Sequence, residues 1–305
     1  MKSLQKCFLQ MQRNVLVAIL LLAMLTPISS FAQSFSSELK SIPHSGKING
    51  NSCQYMDIDN DGDRDFMFTM MNFPLLYSNI GSSESPSFEK PLSMPFELKD
   101  IMFSTFMDID GDGDLDAIGI SYKKMKVGKR VWQMYTNTGT PEKPQFSEPV
   151  AFEFGLDKEF EKFRFVDIDG DNDLDILGVK KSGLIFQENK GNNETPEFST
   201  SQSESFGLPE TSGVIIDFAD IDNDSDLDAY CFGKLDGEKD AKQYIQLNNG
   251  DKENPAFSEL TPATTIGVDE SLEHVQFVDI DGDGDLDAVG TVKYKLFYQE
   301  NTRIE

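Results

Sequence analysis

Five copies of an acidic nine-residue loop, four copies of a ten-residue turn and a repeat of about 55 residues predict an all-β chain, a β-propeller of five four-stranded blades. The loops begin at Asp57, Asp108, Asp167, Asp220 and Asp279 and read DIDNDGDRD, DIDGDGDLD, DIDGDNDLD, DIDNDSDLD and DIDGDGDLD. Each is followed by a turn, Asn-x-Gly-x-x-x-x-Pro-x-Phe, starting at Asn79, Asn137, Asn189 and Asn248. A fifth turn starts at Asn301 and breaks off. Its missing end stands at the other terminus: Phe35 precedes Asp57 by 22 residues, as Phe198 precedes Asp220 and Phe257 precedes Asp279. A permutation of this kind makes sense in a circle whose first strand completes the last blade, and closing the circle hides sheet edges that an open array would expose.

Taken in order, the chain opens on residues 1–32, a leader. Lys2, Lys6 and Arg13 precede an apolar run over residues 15–25, and Ser30-Phe31-Ala32 offers the small residues that a signal peptidase reads. Cleavage after Ala32 is expected, leaving residues 33–305 as the exported propeller, periplasmic, secreted or on the cell surface. A retained anchor is the alternative, though the run is short for a membrane span. Within a blade, the third unit serves as the example. Residues 162–166 form the inner strand, with Phe165 at a position that is aromatic in every repeat (Tyr55, Phe106, Phe165, Phe218 and Phe277). The acidic loop is the hairpin. Residues 175–180 and 184–188 are the second and third strands, and the stretch after Phe198 is the outer one. Asn, Gly and Pro mark the turn before it.

The loops point to a metal. Aspartate fills positions 1, 3, 5, 7 and 9 of every copy, and carboxylates so crowded repel one another unless a cation sits among them. An all-oxygen, flexible donor set suits Ca²⁺ better than Mg²⁺. A merely solvated acidic run would not keep Ile at position 2 five times (Ile58, Ile109, Ile168, Ile221 and Ile280). An EF-hand needs Glu at position 12, where this chain has Phe68, Gly119, Gly178, Cys231 and Gly290. Position 6, Gly62, Gly113, Asn172, Ser225 and Gly284, is expected in the left-handed region, which Gly adopts freely and Asn tolerates. Ser225 fits least well, which singles out the fourth loop.

These residues resemble the FG-GAP/VCBS repeats, the β-propeller repeats of integrin α-chains and of many bacterial exported proteins. The resemblance spans essentially all of residues 33–305. It implies side-chain ligands at positions 1, 3, 5 and 9 and a backbone carbonyl at position 7, with up to five Ca²⁺ ions. The first site would be Asp57, Asp59, Asp61 and Asp65 with Asp63 at position 7. The second would be Asp108, Asp110, Asp112 and Asp116 with Asp114, and the third Asp167, Asp169, Asp171 and Asp175 with Asp173. The fourth would be Asp220, Asp222, Asp224 and Asp228 with Asp226, and the fifth Asp279, Asp281, Asp283 and Asp287 with Asp285. The best-known members have seven blades or more, whereas this chain has material for five.

Charge narrows the partners. The net charge is −26, or −29 without the three leader cations, so nucleic acid and anionic membranes are poor partners. Metal-free loops would repel one another, so folding and metal binding are expected to be coupled. The mature chain keeps Cys53 and Cys231, read as free buried thiols. With two histidines, His44 and His274, and no Gly-x-Ser-x-Gly or zinc pattern, catalysis has little support. One inner-strand position is polar throughout (Gln54, Thr105, Arg164, Asp217 and Gln276), and Arg164 and Asp217 are expected to pair near the channel as a structural ion pair. Two hairpins are longer than the rest, over residues 121–132 and 233–243. The first carries Lys123, Lys124, Lys126, Lys129 and Arg130 beside Trp132, either a docking patch for a protein or acidic glycan or a solvated extension. The favoured function is a non-catalytic binding or adhesion module. A lectin-like propeller and, less favoured, a polysaccharide lyase or glycosidase are the alternatives.

Overall fold

The structure, a computed structural model, describes residues 35–302 apart from 45–52, 71–72, 94, 99, 122–130, 153, 158, 161, 181–182, 193–194, 204–205, 210–213 and 236. Residues 1–32, expected to be a leader, and the cations Lys123, Lys124, Lys126, Lys129 and Arg130 lie outside the described residues.

Five antiparallel sheets follow one another along the chain as the blades of a five-bladed β-propeller. The first blade runs Cys53–Met56, Asp65–Met70, Phe73–Tyr77 and Leu92–Ser93 from the inside out. The second runs Ile101–Met107, Asp116–Ser121, Trp132–Tyr135 and Val150–Ala151. The third is Lys162–Val166, Asp175–Lys180 and Gly183–Gln187, and its fourth strand is reduced to one bridge between Phe186 and Gln202. The fourth blade is Val214–Ala219, Asp228–Gly233, Lys242–Gln246 and Thr261–Pro262. The fifth takes Glu273–Val278, Asp287–Val292 and Lys295–Gln299 from the end of the chain and Lys40–Ser41 from its beginning. Among the described residues the outer strands of the other four blades are two residues long, and the turn Phe does not open them. It sits earlier, in a single bridge to the turn Asn.

Ring closure is visible in three independent contacts. Phe35 bridges Asn301 as Phe88 bridges Asn79, Phe146 bridges Asn137, Phe198 bridges Asn189 and Phe257 bridges Asn248. Lys40 and Ser41 pair antiparallel with Tyr298 and Phe297. Gln299 Nε2 donates to Ser36 O (2.8 Å) and Gly267 O (3.1 Å), as Gln187 Nε2 of the third blade donates to Ser199 O (2.6 Å) and Gly155 O (3.1 Å). These glutamines are about 1 % exposed, and a buried amide must have such partners. Sequence reading passed over them, although Gln stands two residues before the turn Asn in three blades.

The core is five separate apolar clusters, one between each pair of neighbouring blades, including one that joins the fifth blade to the first through Val278, Val289 and Leu296 against Tyr55, Phe66 and Tyr77. This is why an aromatic residue recurs at the end of each inner strand: it fills the wedge between sheets. The turn glycine has a different cause. A Cβ on Gly139 would lie 2.3 Å from Lys143 O, so only Gly allows the turn to fold back on itself.

Phe35 is 6 % exposed and its ring lies 5.8 Å from that of Phe277. Phe35→Ala is therefore expected to cost about 3–5 kcal/mol in chemical denaturation, as much as Phe198→Ala in mid-chain. A near-neutral Phe35→Ala would mean that the ring does not close through the N-terminal segment.

Candidate metal loops

All five acidic loops connect the inner strand to the second, so they share one face of the disc. Their positions divide into distinct jobs. Position 9 is the buried anchor: Asp65, Asp116, Asp175, Asp228 and Asp287 are at most 2 % exposed. In each, Oδ2 accepts the N–H of the position 2 isoleucine, at 3.2, 3.3, 3.4, 2.9 and 3.4 Å. Oδ1 accepts the N–H of the turn Asn, at 2.8, 2.6, 2.8, 2.8 and 2.9 Å. The two motifs read separately in the sequence are thus one unit.

Asn extends the chain of contacts into the turn. Asn189 Oδ1 accepts from Gly191 N–H (3.0 Å) and Glu197 N–H (2.9 Å), and Asn79, Asn137 and Asn248 repeat the pattern. Position 1 shapes the loop itself, for instance Asp57, which accepts from Asp61 N–H (3.1 Å) and Gly62 N–H (3.1 Å). Position 5 accepts the N–H of position 7, at 3.0–3.1 Å in all five. The expected left-handed backbone at position 6 is present, with φ from 73° at Asn172 to 96° at Gly284, and Ser225 adopts it at 78°. Position 4, which is Asn or Gly in every loop, is left-handed as well, from 53° at Asn60 to 75° at Gly282. Sequence reading missed position 4, though its residue types carry the same signal.

Three carboxylates converge in each loop, with one oxygen of each within 4.8 Å of the others: Asp57, Asp59 and Asp61; Asp108, Asp110 and Asp116; Asp167, Asp169 and Asp171; Asp220, Asp222 and Asp228; Asp279, Asp281 and Asp287. Positions 1 and 3 are always brought together, and position 5 or position 9 completes the set. Such a triad can hold a metal ion, and its all-oxygen donors suit a hard divalent one. A more specific test of fit is the state of position 3. Oδ1 of Asp59, Asp110, Asp169 and Asp281 is buried and has no hydrogen-bond partner. At position 7 the side chain also turns inward: Oδ1 of Asp114, Asp173, Asp226 and Asp285 is buried without a partner. A buried acceptor left without a donor is costly, and a cation removes that cost.

Electrostatics agree with the geometry. Burial, then the neighbouring aspartates at positions 5 and 1, raises the position 3 carboxyls above their ordinary value. Burial pushes position 9 up to about 7 in Asp65, Asp116 and Asp228 and to about 8 in Asp175 and Asp287, against the lowering effect of the Asn N–H. Position 7 rises to about 6 in Asp114, Asp173, Asp226 and Asp285, for burial first and the position 5 charge second.

Elsewhere, Arg164 Nε stands 3.6 Å from Asp217 Oδ1, the ion pair expected between the third and fourth blades. Asp217 Oδ2 also accepts from Gln276 Nε2 at 3.1 Å. Gln54 grips the second blade's inner strand, donating to Phe106 O (2.7 Å) and accepting its N–H (3.0 Å). Cys231 is a free, buried thiol. In the longer fourth hairpin, Tyr244 Oη donates to Glu238 Oε1 at 2.6 Å, folding that extension back on its own blade. Trp132 is buried in the cluster between the second and third blades, so it is core rather than part of a surface patch. Among the described residues no helix is long and apolar enough to cross a membrane.

Fold and loops together define a five-bladed β-propeller with a metal-competent acidic loop in every blade. Residues 108–178 and 167–231, which contain the second, third and fourth loops, match the FG-GAP-like repeat family. No curated protein matches the sequence. Among solved structures, the catalytic domain of the Coprinopsis cinerea GH62 α-L-arabinofuranosidase is similar at 10 % identity and TM-score 0.45, over 87 % of this chain and 98 % of that one. A mannose phosphorylase from Leishmania mexicana is similar at 10 % identity and TM-score 0.45, over 86 % of each. The Photorhabdus luminescens Tc holotoxin pore is similar at 14 % identity and TM-score 0.42. There 90 % of this chain matches, spanning 15 % of the toxin chain.

Two outcomes test the loop architecture. Asn189→Ala strands the Gly191 and Glu197 N–H groups and should cost about 1–3 kcal/mol in denaturant titrations. In excess chelator, the raised loop carboxyls mean that the folded chain binds more protons than the unfolded chain between about pH 4 and 8. Metal-free stability should therefore fall as pH rises through that window. Scanning calorimetry should find the decline in chelator and its disappearance with saturating divalent cation, which holds the loops ionised.

Proposed function

We propose that the chain is an exported, calcium-stabilised propeller that acts as a non-catalytic binding or adhesion module. The observation that carries this reading is the set of position 3 carboxylate oxygens, buried and without donors in four of the five loops. Ca²⁺ is the cation that suits them. It accepts six to eight oxygens in irregular geometry, whereas Mg²⁺ demands an octahedron and keeps its waters. Export follows from the leader at residues 1–32 and from the calcium available outside cells. The isoleucine at position 2 explains why an ion would serve a structural purpose. Ile58, Ile109, Ile168, Ile221 and Ile280 each lie in the cluster between their own blade and the next, at 4 % exposure or less. An ordered loop therefore clamps two blades together, and the ring presents a rigid face.

Calorimetric titration of the metal-free protein should find up to five Ca²⁺ sites. Each site stabilises by about 2.7 kcal/mol when free calcium is a hundredfold above its dissociation constant. A melting midpoint that is the same in calcium and in chelator would overturn the reading.

A further inference from the structure

A small pocket on the propeller axis borders the acidic loops but is lined by none of their candidate ligands. Its volume is about 150 Å³, and three blades build it: Tyr55 and Arg64 from the first, Asp217 and Phe218 from the fourth, and Gln276 and Phe277 from the fifth. The first and fourth blades are not neighbours, so a pocket that both line lies at the centre of the ring, at the end where the loops emerge. A cavity of about 150 Å³ holds one six-membered ring.

Arg64 is the informative residue. It occupies position 8 of the first loop, where the other four loops carry Leu115, Leu174, Leu227 and Leu286. Those leucines pack against the interblade clusters, and Leu286 also borders the pocket, whereas Arg64 is exposed and brings a cation to it. No ion pair to Arg64 is present among the described residues. Asp217 does not neutralise it, because Asp217 is already engaged by Arg164 at 3.6 Å and by Gln276 Nε2 at 3.1 Å. Arg164, Asp217 and Arg64 thus leave one positive charge at the axis of a strongly acidic protein. The other end of the Gln276 amide, Oε1, is buried without a hydrogen-bond partner. The walls are aromatic, with Phe218 and Phe277 beside Tyr55.

We propose that this axial pocket binds a single six-membered sugar ring bearing a carboxylate, a hexuronate residue of an acidic glycan. The carboxylate pairs with the Arg64 guanidinium, whose planar fork matches it. A ring hydroxyl donates to Gln276 Oε1, and the C–H face of the ring lies on Phe218 and Phe277. The inference rests on the reading of the chain as a binding module and names its ligand class. It does not depend on which cation fills the loops.

The test uses the full mature chain in calcium, with D-glucuronate, D-glucose and acetate as probes in isothermal titration and ligand-observed NMR. Glucuronate should bind saturably, with glucose and acetate each at least tenfold weaker. Arg64→Leu installs the residue that the other four loops carry, so its melting midpoint and calcium count should match the native chain while glucuronate affinity falls at least tenfold. Gln276→Leu should weaken glucuronate with calcium binding intact. The inference is overturned if no probe saturates, if Arg64→Leu binds glucuronate as the native chain does, or if acetate binds equally well, which would mark a simple anion site. Native calcium binding with no glucuronate binding removes this inference alone, whereas failure of calcium to bind or stabilise removes the functional reading beneath it.

Discussion

A buried carboxylate that accepts two backbone N–H groups governs each blade. The position 9 aspartate holds the start of the metal loop through the Ile N–H and the start of the ten-residue turn through the Asn N–H, with both of its oxygens committed. Burying an anion is costly unless it is paired and hydrogen-bonded. The two N–H donors offset part of that cost, and its raised pKa shows that they do not offset all of it. A cation held among the neighbouring carboxylates would supply the rest. The loop, the hairpin and the turn therefore rise or fall together, and the acidic motif and the Asn turn recur as a pair because each lacks a partner without the other.

The same unit reaches beyond its own blade. Position 2 places an isoleucine between its blade and the next. Position 4 leans on the next blade's turn: a Cβ on Gly170 would lie 2.7 Å from Lys252 O, and one on Gly282 would lie 3.3 Å from Ser83. The second of these contacts runs from the fifth blade to the first and closes the circle on the loop face, while Lys40–Ser41 closes it at the rim. A ring built this way has no weak first or last blade, and ordering any loop tightens two blades at once.

Much of this was legible because it is local. Strict alternation of Asp within nine residues, Ile at a fixed place and the split turn at the two termini predicted the loops, their shared face and the circular order. For the third blade the inner and second strands, Lys162–Val166 and Asp175–Lys180, fall where the pattern puts them. The third strand begins one residue earlier than expected, because Gly183 pairs with Lys180 in the hairpin. What pattern could not give were contacts between distant residues. The Asp–Asn hydrogen bond spans 14 to 21 residues. The outer strands are held by neighbours rather than by their own composition, so two residues, or the single Gln202 bridge, suffice. Trp132 looked like surface beside a run of lysines, yet a hairpin register that pairs it with Ile120 turns it into the core.

A repeat protein carries its own controls, and departures from its consensus are where purpose separates from architecture. Ser225 departs at position 6 yet adopts the same left-handed turn as its counterparts, with φ 78°. Asp220 still accepts its N–H at 3.0 Å, so the substitution strains the loop without changing its form. Arg64 departs differently. Four blades use a leucine at position 8 to cover an apolar wedge, and the first blade gives up that contact for an exposed cation at the axis. Nothing in the ring requires the exchange, since four blades close without it. Local rules are broken at functional sites and kept elsewhere. By that criterion the loops are the frame, repeated because the frame is repeated, and the chemistry particular to this chain lies where the five-fold pattern stops being five-fold.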